Sequence, residues 1–258
     1  MPSFFLIFSF VLGTIIGSFL NVVALRYNTG MTLKGRSKCF SCGNNLSWHE
    51  LVPVLSFLLQ KGSCKNCKSK ISWQYPIVEL FAGFCFLMIF YMFPPMTFEA
   101  SISTVFYLFI TCILLVITIY DIKHKIIPDS LVYTFAVVAL ARLFISPELT
   151  LMLPSLSDAL AGPILALPFA LMWLLSKGAW MGLGDAKLVL GIGWVLGLMP
   201  GISAIVLAFW IGAIFSLIWM YIVMKKFKAR YEIPFGPYLI LGMYLVLFFG
   251  IRIIELPL

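Results

Sequence analysis

The sequence predicts an all-α polytopic membrane protein of about eight transmembrane helices, and three observations carry that prediction. Of its 258 residues, 62% are hydrophobic and 11% are charged, against about 45–50% and 25% in ordinary soluble domains. Apolar runs near the roughly 20 residues that cross a hydrocarbon core recur along nearly the whole chain. Only one long polar stretch, residues 26–75, interrupts them. In order, the candidate spans are about 4–25, 76–93, 98–120, 130–146, 158–176, 186–200, 202–224 and 235–254. The sixth is short for a full crossing. Proline and glycine punctuate the breaks, in "FPPM" at 93–96, "SPEL" at 146–149 and "MPG" at 199–201. No soluble second domain, low-complexity tract or internal repeat is expected.

The first run, "MPSFFLIFSF", has no basic segment before it and no small-residue cleavage pattern after it. It therefore reads as a retained span ending at Arg26, not as a removed signal peptide. A net charge of +8 raises the question of nucleic acid, and the placement of the charges answers it. Of 18 Lys and Arg residues, 16 fall at 26–75, 123–125, 177–187 and 225–230, with Arg142 and Arg252 the exceptions. If eight spans alternate, those four segments share one side. The positive-inside rule makes that side cytoplasmic and puts both termini outside. The charge thus reports topology, with membrane lipid as the surrounding partner and no nucleic acid expected.

The interruption between the first two spans carries a C-x2-C-x21-C-x2-C pattern: Cys39, Cys42, Cys64 and Cys67. Each C-x2-C pair can wrap one ion, and four thiolates form the closed tetrahedral site of structural zinc. A cytoplasmic loop lies in a reducing compartment, which disfavours two disulfides; an unmetallated or redox role is the alternative. A loop of this length buries little core alone, so a metal staple is physically useful. The expectation is a small zinc-ribbon-like loop between helices 1 and 2. His49 and Glu50 in "SWHELVP" could act as ligands or catalytic groups, but four cysteines leave zinc no need of His49, which is read as a loop residue. Cys85 and Cys112 lie within spans, as small packing residues do.

Ionisable groups within membrane helices cost about 2.5–3.5 kcal/mol at the bilayer centre on insertion scales, so an acid there is a functional candidate. The chain has only ten Asp and Glu residues. Glu50 and Glu232 fall in basic loops, and Glu99, Glu148, Asp158 and Glu255 near outer span ends. Glu79, in "YPIVEL", is harder to place. Asp121, Asp129 and Asp185 remain. Asp121 ends the third span and Asp185 begins the sixth, so two carboxylates on different helices reach the same depth. Such a pair shares one proton and titrates as a unit. One member can deprotonate a water while the other donates to a carbonyl, as in aspartic proteases. Asp129 competes for the first position, but "PDS" directly before the fourth span reads as a helix N-terminus with Asp129 as its cap. Gly182 and Gly184 flank the other acid in "GLGD". Without Cβ atoms they can adopt disfavoured dihedrals and admit an extended substrate backbone; loose helix packing is the alternative. Lys187, two residues after Asp185, has no settled role.

These residues also carry a family resemblance over nearly the whole chain. "GSFLNVVALR" at 17–26, the cysteine loop through "SWQYPIVEL", "DIKHKIIPD" and "GLGDAKL" resemble the motifs of the type IV prepilin peptidases, bifunctional leader peptidases and N-methyltransferases among the GxGD aspartyl proteases. The resemblance implies residues 1–25 as a first transmembrane helix, 26–75 as a cytoplasmic methyltransferase-associated loop, and 76–258 as a transmembrane aspartyl protease domain. It implies Asp121 and Asp185 as the catalytic dyad, with Asp129 a noncatalytic acid of the first motif. The substrates it implies are prepilins or pseudopilins, whose short basic leader is cut after glycine at the cytoplasmic face of the bacterial cell membrane. The new N-terminal residue would then be methylated from S-adenosylmethionine. Composition and spacing indicate nothing of that second activity. Arg26, Glu50 and Glu79 are the methyltransferase candidates, as polar residues within matching motifs. His49, Leu51 and Gln74 depart from residues common among relatives.

Two readings from other classes compete. An ion- or proton-coupled transporter would place acids near the midplane and show repeats, whereas both acids here fall at span ends. A nonenzymatic assembly or sensor protein would use the cysteine loop for docking.

Overall fold

The computed structural model describes residues 3–30, 32–33, 35–145, 150–221 and 233–253. Nine α-helices account for most of them: α1 (Ser3–Arg26), α2 (Leu55–Leu59), α3 (Gln74–Met92), α4 (Phe98–His124), α5 (Asp129–Leu143), α6 (Leu156–Ser176), α7 (Leu183–Leu196), α8 (Leu198–Trp219) and α9 (Gly236–Phe249). A single 3₁₀ turn covers Trp48–Glu50. Among the described residues the only strand-like pairings are three isolated antiparallel bridges.

Helices α1, α3, α4, α6 and α8 are each long and apolar enough to cross a membrane, which makes the chain a multi-pass membrane protein. Helix α9 is apolar but has 14 residues. Helices α5 and α7 have 15 and 14 residues, only about 21–23 Å at 1.5 Å per residue. Each of the eight expected runs coincides with a helix, and five of these reach full crossing length.

Several boundaries move, among them the ends of α4 and α7. Helix α4 continues to His124, which brings Asp121 inside its last turn. The break between α7 and α8 falls at Gly197, where φ is +80°, and not at "MPG". With ψ at 178° this backbone conformation is essentially confined to glycine. Pro200 instead occupies the first turn of α8, where its missing N–H leaves no bond unmade. The expected break at 146–149 and the basic segment 225–230 lie outside the described residues.

The chain forms two compact units, Met1–Val116 and Ile117–Leu258, which divide within α4. In the first, α1 packs along α3. A Cβ on Gly13 would lie 2.7 Å from the Ala82 carbonyl oxygen, so the helix contact depends on small residues, as membrane helix pairs commonly do.

In the second unit α7 touches α5, α6, α8 and α9. Its Leu188, Val189 and Ile192 are buried together with Phe135 of α5 and Leu239, Ile240 and Met243 of α9. Helix α7 is therefore the centre of this unit, and Asp185 and Ala186 in its first turn are buried. Its approach to α6 is set by Gly193, whose added Cβ would lie 2.7 Å from the Gly162 Cα. The Trp194 indole Nε1–H donates to the Ala159 carbonyl across the same contact, at 3.0 Å. Gly193→Val is expected to destabilise the protein by about 1–3 kcal/mol through overpacking. Thermal unfolding of the purified protein reads this, and an unchanged midpoint would contradict the close approach.

Candidate active site

Asp121 and Asp185 are both buried, 4% and 9% exposed. Helix ends put them there. Asp121 occupies the last turn of α4, and Asp185 is the third residue of α7, whose N-cap is Gly182. Ile127, in the connection between α4 and α5, packs against α7, which carries Asp185, and against the start of α9, where Gly236 approaches Asp121. A Cβ on Gly184 would meet its Cβ at 2.8 Å, and one on Gly236 its Cδ1 at 3.3 Å.

The buried Asp121 carboxylate also has a backbone partner. The Gly236 N–H donates to its Oδ2 at 3.1 Å. Sequence reasoning missed this residue, although "PFGP" at 234–237, a glycine before a proline at the head of an apolar run, was a visible helix-start signal.

The two motif glycines act through space and not through unusual dihedrals. Gly182 has φ −73° and ψ 147°, extended backbone open to any residue, and Gly184 is helical. Gly184 serves packing against Ile127. Gly182 has the open face: its nearest neighbour is Asp185 Oδ2, 3.6 Å from where a Cβ would stand.

Asp129 is not the cap of α5. Pro128 takes that position, and the Asp129 carboxylate, 68% exposed, receives the Lys187 ammonium at 2.6 Å. The same ammonium lies 4.6 Å from the centre of the Tyr133 ring. Lys187 thus acquires a role as a tie between α7 and α5, two residues beyond Asp185.

The four cysteines converge. Their sulfurs all lie within 4.8 Å of one another, and Cys39 and Cys67 are 3.8 Å apart. Four sulfurs about 2.3 Å from a tetrahedral ion stand about 3.8 Å apart, whereas a disulfide needs about 2.05 Å. All four are free thiols, with a spacing that could hold a metal ion. Each pair sits in a knuckle of the same construction. Cys39 N–H donates to Asn44 O and Gly43 N–H returns to Cys39 O, each at 2.9 Å; Cys64 N–H donates to Ser69 O at 2.9 Å and Lys68 N–H returns to Cys64 O at 3.0 Å. Gly43 and Lys68 both take positive φ, 70° and 59°. This local repeat escaped the sequence because glycine fills the left-handed position in one copy and lysine in the other.

The polar surroundings favour charge on two of the sulfurs and oppose it on a third: a backbone bond from Asn44 lowers Cys42, but desolvation and the neighbouring Cys39 and Cys67 push it up to about 11. Backbone bonds from Cys42 and Ser41, with the Ser69 hydroxyl, draw the Cys39 thiol down to about 6. The Ser69 hydroxyl and its backbone bond also lower Cys67.

The three methyltransferase candidates are engaged in the framework of this first unit. The Arg26 Nη1–H donates to the Thr32 carbonyl at 2.8 Å. The Glu50 carboxylate accepts from the Ser47 hydroxyl at 2.5 Å and the Ser47 N–H at 2.9 Å, and those bonds hold it below the usual carboxylate range. His49 shares the same hydroxyl at 2.9 Å. Glu79 is 6% exposed and accepts from the Val54 N–H at 2.8 Å. Val54 has φ +60°, an outlier for a β-branched residue, so Glu79 secures a strained turn at the start of α2. Glu79→Ala is expected to cost about 1–3 kcal/mol by leaving that N–H unpaired, while Glu79→Gln keeps an acceptor and costs less. Equal thermal midpoints for the two variants would contradict this role.

A multi-pass helical protein with two buried carboxyl groups, one at the end of α4 and one at the start of α7, has the makings of a membrane acid–base site. Comparison with known proteins gives the family. The model described as "Bacterial Peptidase A24 N-terminal domain" matches residues 11–93, and that of the "Type IV leader peptidase family" matches residues 108–217. The chain is 30% identical to the prepilin leader peptidase/N-methyltransferase of Bacillus subtilis, over 95% of each chain. It is also 30% identical to the Vibrio cholerae protein of that name, over 98% of this chain and all of the relative. Identity to the Myxococcus xanthus counterpart is 33% over 73% of this chain and 55% of the relative. The chain belongs to the type IV leader peptidase family. No solved structure matches it.

Proposed function

We propose that this protein is a membrane-embedded aspartic endopeptidase that removes the short basic leader of prepilins or pseudopilins after glycine. We also propose that it methylates the new N-terminal residue. Family membership over nearly the full length supports the activity, and the burial of Asp121 and Asp185 at helix ends linked through Gly236 and Ile127 is the observation that supports the mechanism. Two carboxyls in an apolar site cannot both ionise cheaply, so the pair retains one proton. The ionised member takes a proton from water as that water attacks the scissile carbonyl, and the protonated member donates to the carbonyl oxygen. The open face of Gly182 beside Asp185 suits passage of an extended substrate strand; Gly184 supports it by packing.

In this reading all eight long helices cross the membrane, the shorter ones with thinning or helix-end support. The basic segments then face the cytoplasm, as does the site. Residues 1–25 form the first span, 26–75 the cysteine loop and 76–258 the protease domain. Zinc suits the donor set, held by Cys39, Cys42, Cys64 and Cys67, where it would fasten a loop with little core of its own. S-adenosylmethionine, when bound, supplies an electrophilic methyl group for the new amine. Arg26, Glu50 and Glu79 shape the loop and the helix ends beside it through bonds at Arg26 Nη1, Glu50 Oε2 and Glu79 Oε2.

Co-expression with a prepilin whose basic leader ends in glycine tests this reading. A faster-migrating pilin carrying an N-terminal methyl group is expected. An unprocessed prepilin would refute the assignment.

A further inference from the structure

We infer that Gly236 is a positioning residue for Asp121: its backbone N–H fixes one carboxylate oxygen, leaving the other to handle the water and the proton. The inference deepens the dyad reading and rests on it.

The start of α9 offers a single N–H for this purpose. Phe235 is the N-cap, and Gly236 and Pro237 are the first two helical residues. Pro237 has no N–H. The N–H groups of Tyr238 and Leu239 both turn back to the Phe235 carbonyl, at 3.1 and 3.2 Å. That leaves the Gly236 N–H, which donates to Asp121 Oδ2 at 3.1 Å in a buried setting.

Sterics at the same residue agree. A Cβ on Gly236 would stand 2.7 Å from Asp121 Oδ2 and 3.3 Å from Ile127 Cδ1. Its φ is not in the left-handed region, so conformational freedom does not account for the glycine; room for the carboxylate does.

Electrostatics gives the bond a purpose. Asp121 lies in the last turn of α4, the negative pole of a helix, where an anion is disfavoured. Asp185 lies in the first turn of α7, where an anion is favoured. Left to the helix poles alone, Asp121 would be the harder acid to ionise. The amide at the positive pole of α9 offsets that handicap and keeps both acids near the balance that sharing a proton requires. With Oδ2 held by the amide, Oδ1 is the reacting oxygen of Asp121.

The test removes the N–H without adding a side chain. Glycolic acid is placed at position 236 by cell-free translation into liposomes, which exchanges the amide for an ester, and leader cleavage is measured. We expect kcat to fall about 10- to 100-fold, the loss of one bond to a charged group, with KM unchanged. The same exchange at Leu239 weakens the same helical turn without touching Asp121 and should leave kcat within about twofold. Gly236→Ala should also lower kcat, by displacing the carboxylate. Full kcat in the 236 ester, or equal losses at 236 and 239, would overturn the inference. Cleavage by Asp121→Ala would instead overturn the dyad reading beneath it, so the two failures are distinct.

Discussion

Asp121→Ala and Asp185→Ala are each expected to abolish leader cleavage, while Asp129→Ala keeps most of it. General acid–base help is worth about 10²–10⁴-fold, and each member of a proton-sharing pair is needed for both halves of the exchange. Combining the two substitutions should therefore cost little more than either alone, since groups that act as a unit are not additive. Asp129 differs in kind. Its carboxylate is mostly exposed and tied to Lys187, and exposed ion pairs contribute about 0–1 kcal/mol. Its removal should lower cleavage less than about fivefold. The gel-mobility shift of a co-expressed prepilin separates these outcomes. A strong loss with Asp129→Ala and retained cleavage with Asp121→Ala would move the dyad to the other acid of the first motif.

Replacing Cys39 and Cys64 together by serine is expected to empty the metal site and impair methylation, with leader cleavage retained. The two residues come from different knuckles, so the change removes one thiolate from each half of the cluster. Zinc supplies roughly 10–16 kcal/mol of folding free energy in comparable peptide sites, far more than the few buried side chains of this loop provide. The contacts described for the dyad, from Asp121 to Gly236, all lie within residues 117–258. Metal content by elemental analysis, with the mass of the processed pilin, gives the answer. A metal-free variant that methylates normally would refute the structural role of the metal.

The helices were legible because membrane burial writes itself as long apolar runs, and each expected run met a helix. Their ends were less legible. "MPG" contains the stronger dipeptide signal, yet Gly197 alone closes α7, because proline is tolerated in a first helical turn. The two buried acids could be named because a carboxylate is conspicuous in apolar sequence. Backbone donors are not: the Gly236 amide belongs to every residue type except proline, and only the fold brings it across to Asp121. Lys187 and Asp129 lie 58 positions apart, so their pairing could not be read from either motif. The glycines misled in a different way. Their spacing beside Asp185 indicated a special place, but the physical reason is room for Ile127 at Gly184 and an open face at Gly182, not left-handed backbone.

The most direct test of the paired-acid site is leader cleavage by the isosteric Asp185→Asn protein reconstituted in liposomes. Asparagine keeps the shape beside Gly182 and the packing of α7, and removes only the ability to take up and release the proton. Loss of cleavage with an unchanged thermal midpoint is the predicted result; cleavage at the wild-type rate would contradict the site.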